Sequence, residues 1–170
     1  MKSEKIFFLF LLASCFQISC ESDEVAKRKA EAIPSFDTSW SFVDATFAYE
    51  SNGLLFIRFC HVDKNPHIVH EVQFDDIIPI EGTSKLRYAS NGSGLPTSFL
   101  YVVEGGDVHG ESYAIDSTAT LESFLTIDCL TESKVSGSFQ VSYSKKNGGH
   151  SNYGLPDNFS FSEGKFDARR

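Results

Sequence analysis

The stretch NGLLFIRFCHV, at residues 52–62, decides the fold of this chain. From residue 54 to residue 62 apolar side chains occupy both faces of an extended segment, and only Arg58 interrupts them. A strand that is apolar on both faces is buried on both faces, as a central strand of a sheet is. Asn52-Gly53 precedes it and is a strong hairpin signal, because a type I′ turn needs positive φ at both central residues. The stretch therefore predicts a central strand that is entered through a tight hairpin.

Short runs of aromatic and β-branched residues recur along the rest of the chain, separated by turn residues. The 16 phenylalanines, 6 tyrosines and 1 tryptophan favour sheet over helix. Apolar residues fall on both faces between residues 40 and 49, which indicates a bulge or a strand covered on both sides. Further strands are predicted at residues 68–74, 86–89, 99–103, 112–115, 121–130 and 135–143, and around Phe159 and Phe161 with a bulge at Gly164, whereas residues 144–157 read as a loop. About eight to ten short antiparallel strands predict one all-β domain, either a β-sandwich or a flattened barrel.

The first 20 residues read as an export signal. Two lysines precede a short apolar run, and Ser19-Cys20 is followed at once by Glu21-Ser22-Asp23-Glu24. The apolar run is too short to stay in a bilayer as a spanning helix, so the segment is typical of a cleaved signal peptide. We therefore expect a signal at residues 1–19, a tether at 20–35 and a β-domain at 36–170. The only plausible helix, residues 24–32, falls in that tether.

A cysteine at the cleavage point predicts a lipid anchor, and two cysteines compete for the role. Leu12-Ala13-Ser14 before Cys15 fits the usual lipoprotein cleavage pattern better than the residues before Cys20 do. Cys20, however, ends a longer apolar segment and is followed by a polar acidic stretch. We favour Cys20, with Cys15 as the alternative, and an ordinary secreted protein cut near Ser19 stays open as a third. Several acyl chains would hold the protein outside the cytoplasm, on the outer membrane or cell surface.

Charge limits the partners of the domain. The formal net charge of −8 opposes binding to nucleic acid or to an anionic lipid surface, because phosphate contacts need clustered Lys and Arg. The basic run Lys27-Arg28-Lys29 is short and lies in the expected tether. Membrane contact is therefore expected through the N-terminus alone.

The end of the chain resembles a known group of proteins. Val135-Ser136-Gly137-Ser138-Phe139, followed later by the run 159–166, FSFSEGKF, resembles small lipoproteins of Bacteroidota that belong to a domain family of unknown function. Members of that family end an all-β domain with an "sGtF" strand and an "f-i-t-x-G-x-F" strand. They often enter the domain through a "dG" turn before an aromatic residue, whereas Trp40 here follows Asp37-Thr38-Ser39. The resemblance implies the all-β fold and supplies no catalytic residues.

Cys60 and Cys129 are the two cysteines of the expected domain, and both fall on predicted core strands. Disulfides persist outside the cytoplasm, so a Cys60–Cys129 bond is one prediction. Buried cysteines that act as small apolar side chains are the alternative.

The segment from Cys60 to Glu71 holds the only cluster of metal-ligand types, with His61, His67 and His70. On a strand His67 and His70 point to opposite faces, and His70 shares its face with Ile68 and Phe74, so the histidines should not converge. We expect no metal and no cofactor.

Catalytic motifs are equally weak. Asp75-Asp76 are adjacent, alternate between faces on a strand and should mark a strand end. The run 109–112, His-Gly-Glu-Ser, contains hydrolase residue types but no nucleophile elbow.

Two function classes remain. The first is a non-enzymatic anchored module that binds a glycan, a peptide or a protein through loops or an exposed aromatic strip. The second is an envelope hydrolase or a metal-dependent enzyme. We prefer the first, because no constellation specifies a reaction, and take as candidate ligand contacts Trp40, Tyr101, Tyr113, Tyr143 and Tyr153.

Overall fold

The computed structural model describes residues 29–36, 40–89, 92–105, 108–146, 153 and 155–170. Over these residues the chain is all-β, as predicted. The strands are β1 (Lys29–Pro34), β2 (Trp40–Phe42), β3 (Asp44–Tyr49), β4 (Leu55–Val62), β5 (Ile68–Ile77), β6 (Gly82–Lys85), β7 (Thr97–Glu104), β8 (Val108–Ile115), β9 (Phe124–Leu130), β10 (Lys134–Lys145) and β11 (Asn158–Arg169). The predicted signal peptide and both candidate lipid-bearing cysteines, Cys20 and Cys15, lie outside the described residues.

The strands form one sheet in the order β2-β1-β11-β3-β4-β5-β7-β8-β10-β9-β6, and β11 pairs with β10 as well. This additional pairing closes the ladder on itself, from β11 through β3, β4, β5, β7, β8 and β10. Two of the links are short: Arg169 meets Thr46 in a single parallel pair, and β8 meets β10 over three residue pairs. The result is a flattened barrel with two facing layers, antiparallel apart from the β3–β11 contact.

The central strand was predicted correctly. Leu55, Ile57 and Phe59 on β4 are fully buried, and β4 pairs with β3 and β5 along its length. The hairpin before it is present, but the predicted type I′ turn is wrong. Gly53 has a φ of 83°, while Asn52 does not have a positive φ. The Gly53 N–H donates to the Glu50 carbonyl at 3.0 Å, so the reversal uses a turn followed by one left-handed glycine.

The N-terminal boundary of the domain was predicted wrongly. Residues 29–34, assigned to a tether and partly to a helix, form β1 between β2 and β11. Ala30 and Ala32 are buried and alternate with exposed Glu31 and Ile33. Alanine favours helix in isolation, so the small inward side chains hid the strand alternation.

Two other strands differ from the sequence prediction. The run 40–49 is divided into β2 and β3 at Val43, which is 65% exposed and marks the expected irregularity. Residues 86–89 are not a strand; the preceding polar residues 82–85 form β6 instead, by pairing with β9. Backbone pairing here overrides weak intrinsic preference.

The core lies between the two layers and is aromatic at its centre. The ring centroid of Phe59 lies 5.5 Å from that of Phe74 and 5.4 Å from that of Phe139 across the core. Phe139 in turn pairs with Gly164, next to a register shift between β10 and β11 and to Glu163 at a φ of 56°. The predicted bulge near Gly164 is therefore present.

A substitution at Gly137 tests how closely β9 and β10 approach each other. A Cβ at this position would lie 1.9 Å from the Thr126 carbonyl oxygen, which is backbone and cannot move without separating the strands. Gly137→Ala should lower the free energy of unfolding by about 3 kcal/mol, measured by urea denaturation. Ser138→Ala, next to it on β10, is the control and should change it by less than about 0.5 kcal/mol. Equal values for the two variants would contradict the described register.

Candidate functional site

Three of the five aromatic residues predicted to contact a ligand are buried. Trp40 is 4% exposed, and Tyr113 and Tyr143 are fully buried in the core. The prediction is wrong for these three, because their rings fill the space between the layers. Tyr101 and Tyr153 are only partly buried, and the Tyr153 hydroxyl donates to Glu104 at 2.7 Å. They do not form a strip with the other three.

The histidine cluster is a stack of rings. Trp40 lies 4.5 Å from the His61 ring and 4.6 Å from the His70 ring, centroid to centroid. The two imidazoles are tilted by only 19° at 5.8 Å, so their in-plane lone pairs do not point at a common centre. His67 is exposed in the β4–β5 turn. Over the described parts of the chain, no group of three His, Cys, Asp or Glu side chains is arranged to hold a metal ion.

His70 is enclosed without hydrogen bonds. It is 2% exposed, and neither of its ring nitrogens has a partner. Burial lowers the pKa of His70 to about 4, and His61 lowers it further, while Asp63 and Glu111 oppose the shift. The ring is therefore neutral at pH 7 and acts as a packing group, on the same face as Val72 and Phe74 as the sequence predicted.

In the second predicted motif, at residues 109–112, Glu111 is buried. Glu111 on β8 accepts a hydrogen bond from the Tyr113 hydroxyl at 2.9 Å and an ion pair from Lys145 at 2.6 Å. Both carboxylate oxygens are thus occupied within the protein. The side chain of His109 lies outside the described residues.

Asp75 and Asp76 lie at the end of β5, as predicted. Between the pairs Ile57–Phe74 and Leu55–Ile77 the register shifts, and both carboxylates are buried. Asp76 adopts a φ of 57° and accepts the Gly94 N–H at 3.0 Å. Burial raises the pKa of Asp75 to about 6, and the nearby Glu50 and Asp76 add to the shift.

The predicted Cys60–Cys129 disulfide is wrong, because Cys60 is a free thiol. Cys60 alternates with the buried Phe59 and so points away from the core on β4. Cys129 on β9 pairs with Ser136 and is 8% exposed. Burial raises the pKa of the Cys60 thiol.

An open groove lies where several strands end at one end of the barrel. It consists of two adjoining cavities of about 580 and 400 Å³, which share Tyr88, Ile115, Asp116 and Ser117. Leu86 and Ile115 are buried and lie along its floor, while Tyr88 is 63% exposed. The remaining lining residues are Lys85, Arg87, Ala119, Leu121, Glu122 and Ser123 on one side, and Thr118, Ser144 and Asn158 on the other.

Local hydrogen bonds fix the walls of this groove. Asp116 Oδ1 accepts from the Thr118 N–H at 2.8 Å and from the Thr118 hydroxyl at 2.7 Å, which lowers the pKa of Asp116. This Asx turn sets the path of the chain after β8. On the opposite wall the Leu86 N–H donates to the Ser123 carbonyl at 2.9 Å. Hydrogen bonds therefore fix the backbone on both sides of the groove, at residue 86 on one side and at residues 116–118 on the other.

Sequence reasoning missed Tyr88, since residues 86–89 were assigned to a strand. One signal was present: Tyr88 stands just before a run of turn-forming residues, Ser90-Asn91-Gly92-Ser93-Gly94. An aromatic residue beside such a run is a candidate for exposure on a loop.

Comparisons with protein-family models, with curated proteins and with solved structures find no match to this chain. The resemblance to small lipoproteins of Bacteroidota therefore stays a prediction. Within the described residues, no helix is long and apolar enough to cross a membrane.

His70 and Asp75, which are both buried, give opposite pH dependences of stability. His70 has a folded pKa below its ordinary 6.5, so its contribution is present above pH 6.5 and is lost as the pH falls towards 4. Asp75 has a folded pKa above its ordinary 3.8, so stability is lost as the pH rises from about 4 through 6. Each effect should amount to about 3 kcal/mol.

Single variants separate the two effects. Between pH 4 and 6, Asp75→Asn should leave a free energy of unfolding that rises with pH, and His70→Leu one that falls with pH, both measured by denaturant unfolding. Asp75→Asn should also be more stable than the wild type at pH 7. Parallel pH profiles for the wild type and both variants would contradict these assignments.

Proposed function

We propose that the protein is an anchored, extracytoplasmic binding module that takes its ligand at the groove around Tyr88. The observation that carries this proposal is the groove itself, an open channel with an apolar floor and polar walls beside an exposed aromatic ring. Such a combination of apolar surface with a few placed polar groups is typical of ligand sites.

The residues around the groove also indicate that this end of the barrel is the binding face. Apolar side chains that are exposed to solvent lie there, on the connections that follow β5, β6 and β8. Exposed apolar residues grouped in this way indicate an interaction surface, whereas scattered ones are ordinary. The group is Ile78 at 47% exposure, Ile80 at 62%, Tyr88 at 63%, Leu95 at 46% and Leu121 at 36%.

Binding without chemistry fits the polar groups that line the groove. Three of the ionised groups on its walls already have partners in the protein: Lys85 pairs with Glu122 at 2.6 Å, and Asp116 accepts a hydrogen bond from Thr118. A general acid or base must reach the proton that it transfers, whereas these three groups are already bonded to each other or to Thr118. The alternative, an enzyme, would be recognised in the binding test by turnover of the bound compound.

Binding can be tested with full-length protein against arrays of immobilised oligosaccharides and peptides. We expect a ligand whose binding falls at least tenfold in Tyr88→Ala. Tyr49→Ala is the matched control, because Tyr49 is an exposed tyrosine outside the groove lining, and it should bind as the wild type does. Loss of binding in neither variant, or turnover of the bound compound, would contradict the proposal.

Anchoring is proposed from the sequence of the first 20 residues and has its own test. With the lipid on Cys20, Cys20→Ser should move the protein from the membrane pellet to the supernatant, and Cys15→Ser should leave it in the pellet. The reverse pattern would assign the lipid to Cys15. No shift in either variant would remove the lipid anchor from the account.

A further inference from the structure

The shape of the groove favours an extended ligand over a compact one. Its two cavities continue into each other past Tyr88, Asp116 and Ser117, and both are open to the surface. A ligand that fills both must pass Tyr88 and the other residues that the two cavities share. A single small molecule would occupy only one of the two.

The charges of the groove favour an uncharged ligand. Lys85 and Glu122 neutralise each other, and the Asp116 carboxylate already accepts two hydrogen bonds from Thr118. Arg87 is the remaining cation on the lining, and the protein as a whole carries a formal net charge of −8. A polyanion would meet general repulsion and one cation, whereas an uncharged chain displaces no ion pair.

The backbone of the groove wall disfavours a peptide that would add as a strand. The N–H of Leu86 is bonded to the Ser123 carbonyl, and that of Arg87 to the Pro96 carbonyl, both at 2.9 Å. Strand addition draws its affinity from unpaired main-chain groups. These two N–H groups beside Tyr88 already donate within the protein, so they are not available to a peptide strand.

We infer that the groove binds an uncharged glycan chain, with one sugar ring stacked on Tyr88 and its neighbours in the two cavities. The inference rests on the proposed function and names its ligand class. The apolar C–H face of a pyranose packs on an aromatic ring, which is apolar in its body and polar at its tip. Hydroxyl and amide groups of Ser117, Ser144 and Asn158 line the same groove and are donors and acceptors of the kind that sugar hydroxyls pair with.

Isothermal titration calorimetry on the full-length protein tests this inference. The probes are cellotetraose, chitotetraose, maltotetraose and mannotetraose, their monosaccharides, tetragalacturonate as the charged probe, and an uncharged eight-residue peptide. At least one neutral tetrasaccharide should bind at least tenfold more tightly than its monosaccharide, because two cavities are filled instead of one. Tyr88→Ala should weaken that binding at least tenfold, while Tyr88→Phe and Tyr49→Ala should keep it within about threefold.

The outcomes separate this inference from the proposed function. Tyr88-dependent binding of the peptide, or of tetragalacturonate alone, would overturn the glycan inference and leave a binding module. Equal affinity for the monosaccharide and the tetrasaccharide would overturn the two-cavity arrangement. No binding of any probe to the wild type would overturn both. Loss of binding in a variant is assigned to the groove when the thermal midpoint of that variant matches that of the wild type.

Discussion

The contact between Phe139 and Gly164 is the constraint on which the rest of the structure depends. The two residues are partners across β10 and β11, and a Cβ on Gly164 would lie 2.5 Å from the Phe139 ring. The ring therefore covers the glycine backbone directly, as aromatic side chains do for glycines in strongly bent sheets. From there Phe139 reaches Phe59 and Phe74 in the opposite layer. One residue pair thus joins the strands that close the ladder to the strand at its centre.

Closure of the ladder positions the groove. Because β11 pairs with both β10 and β3, the strands of the two layers are fixed relative to each other, and the connections at the Tyr88 end start from fixed points. The Asx turn at Asp116 and the bond from Leu86 to Ser123 then tie two of these connections to the barrel. A site on connections that are held in this way needs little ordering when a ligand binds, which favours affinity.

The sequence predicted the parts of the fold that depend on side-chain periodicity. Residues 54–62 identified the central strand, and Phe159, Phe161 and Gly164 identified the closing strand with its bulge. It did not predict β1 or β6, since Ala30, Ala32 and the polar residues 82–85 join the sheet through backbone pairing rather than through an apolar pattern.

The candidate site was less accessible to sequence reasoning. Aromatic residues that fill the core and those that line a surface have the same composition, so Trp40, Tyr113 and Tyr143 could not be told from Tyr88 before the layers were placed. The disulfide failed for a related reason. Whether Cys60 and Cys129 face each other depends on which layer holds each strand. The order of strands in a closed ladder cannot be deduced from the spacing of residues along the chain.

The central claim, a preformed glycan groove on a rigid closed barrel, is tested most directly by amide chemical-shift perturbation during titration with the tightest neutral tetrasaccharide. The account predicts shifts confined to residues 85–88, 115–119, 121–123, 144 and 158, with the amides of β4 and of residues 134–140 unchanged. Shifts centred on Tyr101 and Tyr153, or spread through the core strands, would contradict it.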